Sequence, residues 1–166
     1  MVMKKVFLFF IFIFLYANSN FENNIDNEVL LIEAKLYPKI LYLVNENEKK
    51  DNIKVAILIN KNTKKIGKKL KKLINDKKIK VDLINKINLK YDAYIFTTKK
   101  INNKDLKLLL INKKVIFTVF PNRIENAMFS IYIGPKIYPY INPKLLNKAE
   151  VKFNPILLKV GKIYEK

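Results

Sequence analysis

The sequence predicts an α/β fold, in which a mostly parallel sheet is flanked by helices and is followed by a C-terminal hairpin and two short helices. Two observations predict it. Short runs that are almost wholly aliphatic or aromatic, such as residues 53–59 and 115–120, are typical of strands buried on both faces. Amphipathic segments alternate with these runs, and that alternation favours parallel strands joined by helical crossovers.

The first half of the chain predicts a helix, a strand, a second helix and a second strand. Residues 28–44 carry apolar side chains at close to helical spacing, and Pro38 inside them predicts a kink or a break. The first buried strand follows a polar link. Asn62 or Thr63 can cap the next helix, whose lysines surround an apolar stripe, and residues 80–84 form the next strand.

The second half repeats this order and then changes. Residues 92–97 and 115–120 predict strands on either side of an amphipathic helix at 103–112. The remaining predicted elements are a hairpin of strands 129–133 and 136–141 that turns at Gly134-Pro135, a short helix from Asn142 or Pro143 to Ala149, and a final helix from Asn154-Pro155 through Ile163. Because no long linker or repeat interrupts residues 20–166, they are predicted to form a single domain.

Residues 1–19 have the three-part layout of a secretory signal peptide. Lys4 and Lys5 precede an apolar run at 6–16, and Ala17-Asn18-Ser19 is a small-x-small cleavage pattern. As a helix the run would rise about 16 Å, too short for a hydrocarbon core of about 30 Å. We therefore expect cleavage after Ser19 and an exported mature chain with no stable membrane insertion.

The absence of two residue types, Cys and His, excludes several kinds of catalytic and metal site. The chain contains neither Cys nor His, so thiol nucleophiles, disulfides, Cys/His zinc sites and imidazole bases are excluded. Its two serines, Ser19 and Ser130, do not lie in a G-x-S-x-G pattern. The aspartates lie at the boundaries of predicted elements, where capping and turn roles are usual. We expect a protein that is not an enzyme and that needs no cofactor or metal.

The net charge of +19 has two open explanations. Of the 33 basic residues 32 are lysine, which a genome rich in A and T would favour without any anionic partner. Nucleic-acid readers prefer arginine for its bidentate hydrogen bonds, so no nucleic-acid partner is expected. The densest basic segment, residues 64–72 with six lysines, is either a solvated helix face or a docking surface for an acidic protein or an anionic membrane.

Four residues at predicted strand ends are the candidates for binding a partner or ligand, because doubly wound sheets bind ligands at the carboxyl ends of their strands. They are Thr97, Thr98, Asn122 and Arg123. The first turn between a strand and a helix, residues 60–67, lacks both the G-x-G-x-x-G and the Walker patterns, which argues against a nucleotide.

Two interpretations are open for the role of Arg123, and two for the direction in which a pair of tyrosines points. Arg123 is the one arginine of the chain, and it could hold a carboxylate by paired hydrogen bonds or form a structural ion pair with Glu125 or Asp92. In the predicted hairpin, strand alternation puts Tyr138 and Tyr140 on one face, directed toward either the core or a protein partner.

Over residues 28–164 the chain resembles the YfiR-like family of periplasmic proteins. The likeness is carried by the early helix before a buried strand and, in the second half, by Ile116-Phe117-Thr118, Phe129-Ser130-Ile131, Ile141-Asn142, Leu145, Ala149 and the Leu-Leu-Lys of residues 151–160. The sequence departs from the family in having no cysteine, which excludes redox control by disulfides. The Trp-Pro that often follows the family's first helix is also missing, and Tyr37-Pro38 falls inside that helix instead.

This resemblance implies a non-enzymatic regulator. Members of the family are known as periplasmic repressors that bind the sensory domain of an inner-membrane diguanylate cyclase and so lower cyclic-di-GMP synthesis. Homodimers are known in the family, so a homodimer is a further expectation. The alternative is a periplasmic solute-binding or transport accessory protein that uses the crevice around Asn122 and Arg123.

Overall fold

The computed structural model of the chain describes residues 25–47 and 50–165. The predicted signal peptide, residues 1–19, lies outside these ranges. One sheet runs through the described part, with seven strands: β1 (Ile53–Leu58), β2 (Ile79–Ile84), β3 (Ala93–Phe96), β4 (Val115–Thr118), β5 (Phe129–Ile133), β6 (Ile137–Ile141) and β7 (Lys162–Ile163).

The strand order is β2-β1-β3-β4-β5-β6-β7. Strands β1 to β5 are parallel, and β6 is antiparallel to β5 as the predicted hairpin requires. The short strand β7 pairs in parallel with β6. The predicted α/β fold with a mostly parallel sheet is therefore confirmed.

Five α-helices and one 3-10 turn accompany the sheet within the described ranges. They are α1 (Asn27–Tyr42), the 3-10 turn (Asn45–Asn47), α2 (Lys64–Leu73), α3 (Asn103–Ile111), α4 (Pro143–Ala149) and α5 (Ile156–Val160). None of these helices is long and apolar enough to cross a membrane.

The sheet is buried on both faces at its centre. All four residues of β3 and all four of β4 are buried. On one face, the ring of Phe117 in β4 packs 4.5 Å from the ring of Tyr37 in α1. Helices α1 and α2 pack together on this face. Helix α3 leaves β3 on the opposite side and packs with α4, and together they cover the other face, which gives a three-layer α/β arrangement.

The predicted break at Pro38 is not observed, because α1 continues through this residue to Tyr42. Proline removes one helical hydrogen bond. Its neighbours Tyr37, Ile40 and Leu41 are buried in the core, as is Pro38 itself. The packing of this apolar face stabilises the helix more than the missing bond destabilises it, since tertiary contacts supply most helical stability in proteins.

The predicted final helix through Ile163 is too long. Helix α5 ends at Val160, and the chain then forms β7 beside β6. A Cβ on Gly161 would lie 2.9 Å from the carbonyl oxygen of Leu157 and would clash with the side chain of Ile141. The absence of a side chain at Gly161 therefore lets the chain approach β6 closely enough to pair with it.

Gly67 gives α2 a close contact with the sheet, and this contact can be tested. A Cβ at this position would overlap the Cγ2 atom of Ile59 and would lie 3.4 Å from side-chain atoms of Ile57 and Leu83. We expect Gly67→Ala to lower the free energy of unfolding by about 1–3 kcal/mol through overpacking, although alanine is the better helix former. Urea unfolding measures the change. Lys68→Ala, at an exposed site on the same helix, is the control, and a Gly67→Ala protein more stable than wild type would contradict this packing.

Candidate functional site

A crevice opens at the carboxyl ends of β1, β3 and β4. After β1 the chain passes through α2 to β2 on one side, whereas after β3 it passes through α3 to β4 on the other side. Such a divergence is where doubly wound sheets bind their ligands. The crevice has a volume of about 690 Å³, and its lining includes Asn60, Thr63, Thr97, Thr98, Arg123 and Asn126.

The floor of the crevice is a hydrogen-bonded network of three side chains. The Thr97 hydroxyl lies 2.7 Å from both the Leu58 carbonyl oxygen and the Thr63 hydroxyl. The Asn60 amide N–H donates to Thr63 Oγ1, and the Asn60 side-chain oxygen accepts from the Thr63 N–H. Thr97 is buried and its hydroxyl is used by these bonds, so its role is to hold the turn between β1 and α2 in place.

Thr98 and Asn122 are also engaged in local structure. Thr98 lies at the rim of the crevice, where its hydroxyl donates to the Lys100 carbonyl oxygen. The Asn122 side chain bonds both the N–H and the carbonyl oxygen of Ile133, and its φ of 60° is the left-handed conformation that asparagine tolerates. Asn122 therefore holds the last residue of β5, where the hairpin turns, while Thr97, Thr98 and Arg123 are brought together in the crevice.

Arg123 is exposed in the crevice, and no carboxylate of residues 25–47 or 50–165 forms an ion pair with its guanidinium group. Asp92, one of the two partners considered from the sequence, instead forms an ion pair with Lys50 at 2.7 Å and accepts from the Lys54 N–H. Glu125 shares the lining of the crevice with Arg123. The five N–H donors of the guanidinium group are therefore not used by an ion pair within the described residues.

A buried carboxyl group lies behind β4 and was not singled out from the sequence. Glu33 in α1 is fully buried, and its Oε1 atom lies 3.0 Å from the Tyr37 hydroxyl oxygen. The same hydroxyl lies 2.6 Å from the Thr118 carbonyl oxygen. Since a carbonyl can only accept, Tyr37 donates its one proton to Thr118, and Glu33 must donate to Tyr37. The carboxyl group of Glu33 is therefore protonated.

Burial is the main cause of this protonation. It raises the pKa of Glu33 to about 8, against the smaller stabilisation that a hydrogen bond donated by Tyr37 would give to the ionised form. Within the described residues the Oε2 atom of Glu33 has no hydrogen-bond partner, which penalises the charged form further. The spacing of Glu33 and Tyr37, one helical turn apart on an apolar helix face, was the available sequence signal.

The hairpin carries a cluster of aromatic side chains. The ring of Tyr140 packs edge-on against Tyr132 and Tyr164, with centroids 5.6 and 5.8 Å apart. The Lys162 ammonium group lies 3.6 Å from the centroid of Tyr132. Tyr138 lies on the same face of β6 as Tyr140, as predicted. The Tyr138 side chain is 37% exposed, and that of the preceding residue, Ile137, is 47% exposed. Ile133 and Ile137 form a cross-strand pair on the opposite face of the hairpin from Tyr138. We call these three exposed side chains near the hairpin turn the hairpin surface.

Two properties of the site limit what it can hold. Among the described residues no three acidic side chains lie close enough together to hold a metal ion. The polar groups of the crevice that point away from solvent are already paired with each other. The lining that remains is cationic, with the Arg123 guanidinium group beside Lys99 and Lys100.

Comparison with known proteins supports the α/β fold. No protein-family model and no curated protein matches the chain. It is similar to a solved structure described as the ABC domain in complex with L-Trp from Streptococcus pneumonia, with a TM-score of 0.55 and 12% identity. The match covers 79% of this chain and 60% of that one, so this chain spans less than two thirds of its neighbour. At this identity the likeness shows a common α/β fold.

The protonated Glu33 predicts an unusual dependence of stability on pH. Between pH 4.5 and 8 the folded chain holds this proton and the unfolded chain does not, so stability falls as pH rises through that window. From pH 5 to pH 8 we expect the free energy of unfolding of wild type to fall by about 3–4 kcal/mol relative to Glu33→Gln, which cannot ionise. Urea unfolding across this range measures the difference.

The control is Glu28→Gln, which removes an exposed carboxylate from the same helix. It should keep the steep profile of wild type. Equal profiles for wild type and Glu33→Gln would mean that Glu33 is ionised in the folded chain, and would contradict the hydrogen-bond assignment.

Proposed function

We propose that the chain is an exported, non-enzymatic regulatory protein of the periplasm that acts by direct contact with an inner-membrane signalling protein. The likeness to the YfiR-like family supports this proposal, because repressors of diguanylate cyclases in that family act in this way. The structural observation that supports it is the hairpin surface, where isoleucine and tyrosine side chains are exposed to solvent.

The hairpin surface has the composition of a protein interface. Aromatic residues are enriched at interfaces, where they bury large area at small entropic cost. Pro139 follows the exposed residues Ile137 and Tyr138 on β6, and its nitrogen faces away from β5, because the neighbouring register places Asn142 N–H toward Met128. A partner strand could not form a complete ladder past this proline, so the contact would use side chains.

A second candidate function rests on a different observation. Arg123 is exposed in a crevice of about 690 Å³ and has no carboxylate paired with it among the described residues. The structural neighbour is described as a complex with L-Trp. A periplasmic solute-binding protein that takes an amino acid by its carboxylate would use the crevice in this way.

The regulatory proposal predicts that the hairpin surface is needed in cells. We expect deletion of the gene to raise cyclic-di-GMP, and the wild-type chain to restore the low level. The double variant Ile137→Ser, Tyr138→Ser should fail to restore it although it is exported at the same level, since it loses exposed contact area without disturbing the core.

The matched control is Leu108→Ser, Ile111→Ser on α3, where the side chains are 40% and 68% exposed. This variant should restore the low level fully. A deletion strain with unchanged cyclic-di-GMP would sink the regulatory function. Equal failure of both variants would show that the hairpin surface has no special role, and restoration by the hairpin variant would show that the contact lies elsewhere.

The solute-binding candidate predicts a ligand-dependent gain in thermal stability. If an amino acid such as L-Trp binds the crevice, ligand at a hundred times its dissociation constant should stabilise the fold by about 2.7 kcal/mol. Arg123→Gln should abolish the effect, whereas Lys136→Gln, an exposed cation outside the crevice lining, should keep it. Differential scanning calorimetry with a panel of amino acids measures this, and no stabilisation by any of them would exclude this ligand class.

A further inference from the structure

The outer face of α2 carries five exposed lysines and no acidic residue. The helix packs on the sheet through its apolar stripe, in which Gly67 and Leu70 are buried. Its sixth lysine, Lys69, is half-buried and donates to the side chain of Asn27 in α1. We call the exposed set the basic face: Lys64, Lys65, Lys68, Lys71 and Lys72.

The basic face is unfavourable to the isolated helix in two ways. Lys64, Lys68 and Lys72 follow one another at four-residue spacing, so like charges are stacked along one line of the surface. Lys64 and Lys65 also lie in the first turn, where the helix dipole favours negative charge, and no acidic residue is present there. A solvated helix face would be more stable with glutamates among the lysines.

The charge is also concentrated in one part of the molecule. Residues 60–90, which run from the end of β1 through α2 and β2 to the next loop, contain twelve lysines and two aspartates. The two aspartates accept hydrogen bonds from tyrosines, Asp76 from Tyr42 and Asp82 from Tyr91. A bias of the genome toward lysine codons accounts for a high average, but it does not account for this local excess.

The form of the patch matches a membrane better than a folded partner or a nucleic acid. Lysines on flexible stems act as point charges, whereas arginine provides the bidentate geometry used to recognise fixed phosphates. No aromatic residue lies among these lysines on α2 to stack against bases. Anionic lipid headgroups move laterally and can gather under such a patch, with each lysine near the surface contributing to attraction.

We propose that the basic face docks the folded domain on an anionic phospholipid surface by electrostatic attraction without insertion. Strand β2, beside which α2 packs, and strand β6, which carries Ile137 and Tyr138, are five strand spacings apart, about 24 Å at the usual spacing. The basic face can therefore contact a bilayer while the hairpin surface contacts a membrane-bound partner. Only this orientation rests on the proposed function, because binding to lipid does not require the partner.

The test is a pair of variants with equal change in net charge. Each replaces four exposed lysines by glutamine, which keeps a good helix former at each site. The basic-face variant carries Lys64→Gln, Lys65→Gln, Lys68→Gln and Lys72→Gln. The control carries Lys104→Gln, Lys107→Gln, Lys144→Gln and Lys148→Gln, on the exposed surfaces of α3 and α4.

Sedimentation of the full chain with vesicles measures the partition coefficient. Vesicles of phosphatidylcholine with about a third phosphatidylglycerol report the electrostatic attraction, and pure phosphatidylcholine vesicles report any contribution of the apolar run at 6–16. We expect binding to the anionic vesicles to exceed binding to the neutral ones, and the excess to disappear in 1 M salt, where the screening length is about 3 Å. Each lysine near the surface strengthens binding by about fivefold, so the excess partition coefficient of the basic-face variant should fall at least a hundredfold. That of the control variant should fall less than tenfold.

Thermal unfolding of both variants shows whether they are folded. The basic-face variant should be at least as stable as wild type, because it removes repulsion within α2. Equal losses in the two variants would show that total charge alone governs binding and would overturn the proposal. So would the absence of any excess on anionic vesicles, or tighter binding to duplex DNA than to these vesicles at the same salt concentration.

Discussion

The complete burial of β3 and β4 is the constraint on which the rest of the structure depends. The eight positions of these two neighbouring strands, four in each, have no solvated face and so require a cover on both sides of the sheet. The chain meets this requirement by sending α2 and α3 away from neighbouring strands in different directions, which opens a crevice at their carboxyl ends. The same requirement keeps α1 on the sheet across Pro38, and it encloses Glu33 so fully that its carboxyl group holds a proton.

The strands were predictable because their cause is local. In a run such as 115–120, Thr118 is the one polar residue, so the sequence itself indicates that both faces of the strand are buried. The hairpin of 129–133 and 137–141 was indicated by Gly134-Pro135 between two apolar runs. The end of the chain was not predictable in this way. Residues 156–163 have helical spacing, but Gly161 allows the chain to pair with β6, and that choice depends on a contact with Ile141 that no local pattern contains.

The candidate site was predictable in position and less so in detail. Strand ends identified Thr97, Thr98, Asn122 and Arg123, and three of them line one crevice. Their chemistry depends on partners from distant segments. The Thr97 hydroxyl is used by Leu58 and Thr63, and the Asn122 amide by Ile133, so these side chains stabilise the crevice and Arg123 is the one with its hydrogen-bonding groups turned to solvent. The sequence alone could not distinguish a structural amide from one that binds a ligand.

In this account the surfaces that act on other molecules lie outside the buried centre, so they can be altered without unfolding the chain. Native-state hydrogen exchange tests this division most directly. The account predicts that the amides of β3 and β4 exchange only through global unfolding, while those of Ile137 and Tyr138 in the hairpin and of α5 exchange through local opening at much lower free energy. Equal protection of the hairpin, α5 and the central strands would contradict it.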